Sequence, residues 1–199
     1  MRPLMITTPG QEEAAAMGRL RLAAWLETYP DPAAGIDREW ITATCGHWAA
    51  DQGASEWRGF LAKVERDPDG HFCRAVRDGV GGEPVGMVCG VRAERVSLGP
   101  MYLLGPAQGR GLGGRLMAEF LEWAGPELPI ALWVTEYNRG AVRFYRRHGF
   151  TETGERQLWA GRLPNLRMVR PAARASRTRR HDDHFHGAAA GGPGHSCDS

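Results

Sequence analysis

The sequence predicts one mixed α/β domain (α+β mixed), and three observations carry the prediction. Met101–Trp123 compresses a strand, a glycine-rich turn and a helix start into one stretch. His71–Arg77 and Pro84–Arg92 read as two strands joined by the turn-rich Asp78–Gly82, an antiparallel hairpin. Ahead of them, apolar residues recur at helical spacing from Met17 to Val64. A chain of 199 residues, 42% hydrophobic, holds one full core and is marginal for two.

Taken in order, Arg2–Thr7 reads as a short first strand, and Thr8-Pro9-Gly10-Gln11 as a helix start with Thr8 as N-cap and Gln11 reaching back. Met17, Leu20 and Ala24 mark the buried stripe of the helix, which ends near Tyr29-Pro30. Trp25 and Tyr29 share a face, as core packing or as pocket lining. Asp37–Gly53 reads as a second helical stretch carrying Trp40 and Trp48. A third helix, capped by Ser55, carries Trp57, Phe60, Leu61 and Val64 and stops at Asp67–Gly70.

In the second hairpin strand, Val85, Met87, Cys89 and Val91 alternate with Gly86, Val88 and Gly90, so one face is bulky and the other thin enough for close approach. Ala93–Pro100 reads as a connection. Met101–Leu104 is then a short buried strand stopped by Gly105-Pro106, and Leu112, Leu116 and Phe120 give the following helix its apolar face. Ile130–Thr135 is the continuous apolar run of a strand covered on both faces. Asn138 opens a helix buried through Ala141, Val142, Phe144 and Tyr145, and Gly149 ends it. Phe150–Gly154 and Leu163–Val169 read as closing strands. From Pro171 apolar residues nearly vanish, so residues 171–199 are expected to be a disordered low-complexity tail with no functional metal site on His181, His184, His186 or His195.

A net charge of +2 gives no global reason to expect nucleic acid or an anionic membrane as partner. Four scattered cysteines without a C-x-x-C pair suggest neither zinc nor a disulfide framework, and the expectation is a reduced, cytoplasmic protein. The chemistry concentrates at Gln108–Gly114, where Gly109, Gly111, Gly113 and Gly114 leave backbone N–H groups bare at a helix N-terminus, a nest suited to phosphate. Gly109, Gly111 and Gly114 satisfy the dinucleotide pattern G-x-G-x-x-G, with Glu136 as ribose ligand; a purely structural turn is the third reading.

Gln108, Gly111 and Gly113 also satisfy Q-x-x-G-x-G, which resembles the acyl-CoA pyrophosphate loop of the GNAT superfamily of N-acetyltransferases. Asn138–Phe150, NRGAVRFYRRHGF, resembles that family's N…A…FY…GF segment, and the two motifs stand in the family's order. The resemblance covers residues 1–170 and implies a single GNAT-like domain: a central, mostly antiparallel sheet with splayed central parallel strands and helices on both faces. It implies acetyl-CoA as cosubstrate, held by the backbone of Met101, Tyr102 and Leu103 along the pantetheine arm. Gln108, Gly109, Arg110, Gly111, Leu112, Gly113 and Gly114 would hold the pyrophosphate, and Asn138 the pantetheine amide or the splayed strands.

Tyr145 aligns with the tyrosine that protonates departing CoA thiolate. Where some relatives place a glutamate five residues before the Asn, this chain has Trp133; Glu27, Glu94 and Glu136 are the remaining candidates for a base. The resemblance thus implies direct transfer of acetyl to a primary amine, on a small molecule or peptide, by a monomer or homodimer without metal, nucleic acid or membrane. A non-catalytic acyl-CoA-binding sensor or scaffold domain is the alternative.

Overall fold

The computed structural model describes residues 4–79 and 81–173. The expectations for Arg2 and for the histidine-bearing tail from 174 onward lie outside the described residues. In chain order the elements are β1 Leu4–Thr7, α1 Ala14–Thr28, α2 Arg38–Cys45, α3 Asp51–Arg66, β2 His71–Asp78, β3 Pro84–Arg92, β4 Val96–Leu103, α4 Leu112–Ala124, β5 Ile130–Thr135, α5 Arg139–Arg147, β6 Thr151–Trp159 and β7 Leu163–Arg170. The seven strands form one sheet ordered β1-β2-β3-β4-β5-β7-β6. Every neighbouring pair is antiparallel except β4 with β5.

Helices cover both faces. Leu112, Leu116, Met117 and Phe120 of α4 and Val142 of α5 bury against Val88, Val96, Leu132, Val134 and Met168. On the other face Met17 and Leu20 of α1 and Trp57 and Leu61 of α3 bury against Ala75, Met87 and Cys89. The alternation along β3 makes this two-sided packing possible. A Cβ placed on Gly90 would lie 2.5 Å from Phe120 of α4, so the thin face is thin because the helix sits on it. Beside α1 a third cluster gathers Trp25, Tyr29, Ile41, Cys45 and Trp48 with Leu163, so most of the early tryptophans are core.

Several element starts differ from the sequence reading. The first helical turn is capped at Gly10, whose N–H donates to the Glu13 carboxylate at 2.9 Å. Thr8 and Pro9 precede the helix, and Gln11 donates to Glu65. With the cap at Gly10 the reciprocal partner three residues on is Glu13, where a cap at Thr8 would have used Gln11. Ser55 lies inside α3, which opens at Asp51 immediately after a short 3-10 turn, Gly46–Ala49. Asp37 takes the capping role for α2, accepting from the Trp40 N–H at 2.7 Å. Finally, β4 begins at Val96, so the segment read as a connection is mostly strand.

Candidate active site

The parallel pair at the centre of the sheet is short. β4 meets β5 only at Val96↔Ile130 and Ser97↔Ala131. Beyond those pairs β4 continues beside β3 as far as Gly86↔Leu103, and β5 beside β7 as far as Thr135↔Asn165. The facing inner edges therefore diverge, leaving backbone donors and acceptors without strand partners. A bulge drives the divergence. Val88 opposes Met101 and Gly90 opposes Leu98, so Gly99 and Pro100 together stand against Cys89. The extra residue bends β4, and Pro100 contributes no N–H to the ladder.

At the end of β4 the chain runs through a 3-10 turn, Gly105–Ala107, into the glycine loop. Gly109 and Gly111 hold φ of 70° and 75°, a left-handed backbone that side chains resist. Gly111 is the N-cap of α4, and the first helical bond runs from the Arg115 N–H to its carbonyl at 3.2 Å. The amides of the first turn thus have no partner within the helix. Gly114 has open space where a Cβ would be, and a Cβ on Gly113 would touch Phe144 and Leu103 at ordinary distance. Arg110 and Arg115 are exposed. Gln108 donates to the Leu103 carbonyl at 2.7 Å, bracing the loop against β4. Leu112 buries its side chain in the core, leaving its amide at the helix mouth.

Between the diverging strands lies a cavity of about 540 Å³, walled by Met101, Tyr102 and Leu103 on one side and by Trp133, Asn138 and Tyr145 on the other. Gln108 and Gly113 also border it, whereas Gly109, Arg110, Gly111, Leu112 and Gly114 of the loop do not line it. Asn138 accepts from the Ala141 N–H at 3.0 Å, acting as the N-cap of α5 while facing the cavity. Tyr145 packs edge-on to Phe144 and Phe150. Burial pushes its hydroxyl well above the ordinary tyrosine range, and the neighbouring Tyr102 adds to the shift.

Helix α1 forms the roof, a role that sequence spacing hinted at only for Trp25 and Tyr29. Trp25 donates from Nε1 to the Tyr102 hydroxyl at 2.9 Å. Tyr29, Tyr102 and Tyr145 line the same cavity, and Tyr29 is raised well above its usual pKa by burial, then by the Tyr102 and Tyr145 hydroxyls. Tyr137, ahead of α5, donates to the Tyr29 carbonyl at 2.8 Å. Glu27 accepts from the Gly105 N–H at 2.7 Å, fastening the roof to the glycine loop. Of the carboxylates considered as a base, Glu27 borders the cavity but is engaged there. Glu136 pairs with Arg156 at 3.2 Å, and Glu94 is exposed. Trp133, 41% exposed, stands where a glutamate would in some relatives.

A forked sheet above a glycine-capped helix is the architecture of an acetyltransferase domain. The chain belongs to the acetyltransferase (GNAT) family, whose model matches residues 16–150. It is 33% identical over 118 residues to an uncharacterized N-acetyltransferase of Methanocaldococcus jannaschii, a match covering 54% of this chain and 47% of that relative. It therefore spans about half the length of the curated relative it matches.

Among solved structures it is similar to the PaiA N-acetyltransferase of Thermoplasma acidophilum in complex with coenzyme A. The TM-score is 0.65 at 16% identity, over 85% of this chain and 99% of that one. It is also similar to YncA, a putative acetyltransferase of Salmonella typhimurium solved with acetyl-CoA: TM-score 0.61 at 17% identity, over 94% and 99%. At these identities the likeness establishes the fold. The family membership removes the dinucleotide reading, and with it the ribose role for Glu136, whose carboxylate is held by Arg156.

Proposed function

We propose that the chain is an acetyl-CoA-dependent N-acetyltransferase that moves acetyl directly to a primary amine within a ternary complex. The observation that carries this reading is the fork itself: strand edges without partners open above the bare amides of α4, and Tyr145 lines the same cavity. In this reading the amides of Gly109 to Gly114, with Arg110, grip the diphosphate. The β4 edge at Met101 to Leu103 runs along the pantetheine arm, and Asn138 braces the fork from the β5 side. Every one of these groups comes from a single chain, so a monomer or a homodimer serves equally.

The catalytic groups divide the work. Backbone N–H groups of β4 beyond the bulge stabilise the oxyanion as the amine attacks the thioester carbonyl. Tyr145 supplies a proton as the carbon–sulfur bond breaks. Its raised pKa keeps it protonated at any working pH, but makes full transfer to a thiolate of pKa ~8.5 more unfavourable than for an ordinary tyrosine at ~10. Tyr145 therefore acts by hydrogen bonding to sulfur while negative charge develops there, with transfer completed late. The amine must lose its own proton first, at about 4.6 kcal/mol for an alkyl ammonium at pH 7. Glu27, the carboxylate that borders the fork, accepts from the Gly105 N–H through Oε1 alone, so that proton leaves to Glu27 or directly to solvent.

Coenzyme A release from acetyl-CoA with a panel of primary amines tests the assignment. Amine-dependent release supports it. Tight acetyl-CoA binding without release by any amine supports instead a sensor domain, which Trp133 in the glutamate position favours. Among the described residues no helix is long and apolar enough to cross a membrane. With a near-neutral charge, this fits a cytoplasmic enzyme acting on small amines or peptide amines.

A further inference from the structure

On the opposite face of β4 from α4 lies a second cavity, about 270 Å³, between α1, α3 and the β3–β4 bulge. It is walled by Trp48, Trp57 and Phe60, and Gly99 borders both this cavity and the fork. The bulge therefore stands between two spaces that share one wall residue, a glycine without a side chain. If the fork holds the acetyl donor, as proposed above and on which this inference rests, the second cavity is where an amine reaches the thioester from the far side.

Its one cation is Arg21. The guanidinium carbon lies 3.8 Å from the centre of the Trp48 ring, and Nε is buried with no hydrogen-bond partner. Among the described residues no carboxylate pairs with it. Glu56, on the α3 rim of the cavity, is exposed and accepts from Gln52 at 3.1 Å. Its Nε has lost water without gaining a hydrogen-bond partner, while the half-buried guanidinium is stacked on indole with no anion paired to it. A planar guanidinium with free N–H groups is the donor set that a carboxylate matches in two-pronged fashion, and a single cation suits a single negative charge.

We infer that the acceptor is a primary amine that also carries a carboxylate and an apolar body, its carboxylate held by Arg21 and its body by Trp48, Trp57 and Phe60. Arg21 is a specificity residue in this assignment: it fixes the acceptor without touching the acetyl group.

The test uses the full chain and two measurements. Calorimetry first establishes acetyl-CoA binding. Coenzyme A release is then followed with L-phenylalanine, L-leucine and L-tryptophan, each against its decarboxylated counterpart: phenethylamine, isoamylamine and tryptamine. The expected result is kcat/KM for an acid at least about ten-fold above its amine, falling to near parity in Arg21→Met and partly restored in Arg21→Lys, with acetyl-CoA affinity unchanged in both. Should the methionine variant fail to fold, 3-phenylpropionate as a competitor of amine turnover in the wild type carries the test. Competition by the acid and none by the matching alcohol supports the assignment. Acids no better than amines, no turnover of any acid, or a preference that survives in Arg21→Met overturns it while leaving the donor site standing. Failure of acetyl-CoA to bind removes the donor reading and this inference together.

Discussion

Trp25 of α1 donates its indole N–H to the hydroxyl of Tyr102 on β4 at 2.9 Å, a bond across 77 residues of sequence. It closes the roof onto the strand whose edge borders the fork, and Tyr145 of α5 lines the same cavity as Tyr102. The helix, the strand and the α5 tyrosine thus meet at one cavity.

Tyr145→Phe removes a hydroxyl and little volume. The expected outcome is a kcat lowered by one or more decades with the KM for acetyl-CoA within about two-fold of wild type. Steady-state coenzyme A release checks it, and unchanged turnover removes Tyr145 from the chemistry.

Gly111→Ala and Gly114→Ala separate fold from ligand. At Gly111, with φ of 75°, a Cβ costs about 1–2 kcal/mol of stability, read from denaturant unfolding. At Gly114, inside the first turn of α4 with nothing within 4 Å of a new Cβ, alanine gains up to about 1 kcal/mol through helix propensity. If the amides there grip the diphosphate, Gly114→Ala nevertheless weakens acetyl-CoA binding by calorimetry. A stabilised variant with wild-type affinity contradicts the proposed grip.

Gly90→Ala places a methyl group 2.5 Å from the Phe120 ring and 2.8 Å from Trp123. Phe120 is fully buried in the core, so overpacking costs about 1–3 kcal/mol. Thermal unfolding should show the loss; an unchanged midpoint would mean that α4 can shift without penalty.

Alkaline pH should act on the fold before it acts on Tyr145. Tyr29, Tyr102 and Tyr145 are all raised by burial, and Tyr137 is pushed up to about 12, again mainly by burial. A phenol that ionises near pH ~10 when unfolded and higher when folded favours the folded state fully below ~10. That advantage is lost as pH rises through the folded values. Denaturant midpoints should therefore hold steady to about pH 9 and fall steeply beyond about 10, with phenolate absorbance rising in step. An early fall, near pH 8, would show that these hydroxyls are not shielded.

Much of this architecture was legible because local chemistry and tertiary need agreed. The β3 alternation, the glycine loop and the Asn138 cap each satisfy a local rule that the fold also uses. The β4 strand was misread where the two disagreed: Gly99-Pro100 carries every mark of a connection, yet the sheet keeps it as a bulge. Turn residues locate a break in a ladder without saying whether the strand resumes beyond it. Ser55 failed for a similar reason, since a good cap residue is also tolerated within a helix whose start is set by the preceding turn. The roof was the least visible part. Glu27 to Gly105 and Tyr137 to Tyr29 are contacts across 78 and 108 positions, which no periodicity reports.

Only two residue pairs, Val96↔Ile130 and Ser97↔Ala131, stitch the left and right portions of the sheet. Cohesion across that seam is shared by α4, whose buried side chains join one core with strands from either portion, and by the α1 roof. The helix that presents bare amides to solvent at its mouth is thus also a rivet of the molecule. Whatever anion settles on that mouth would tighten the rivet, and slower hydrogen exchange along β5 would register it at a distance.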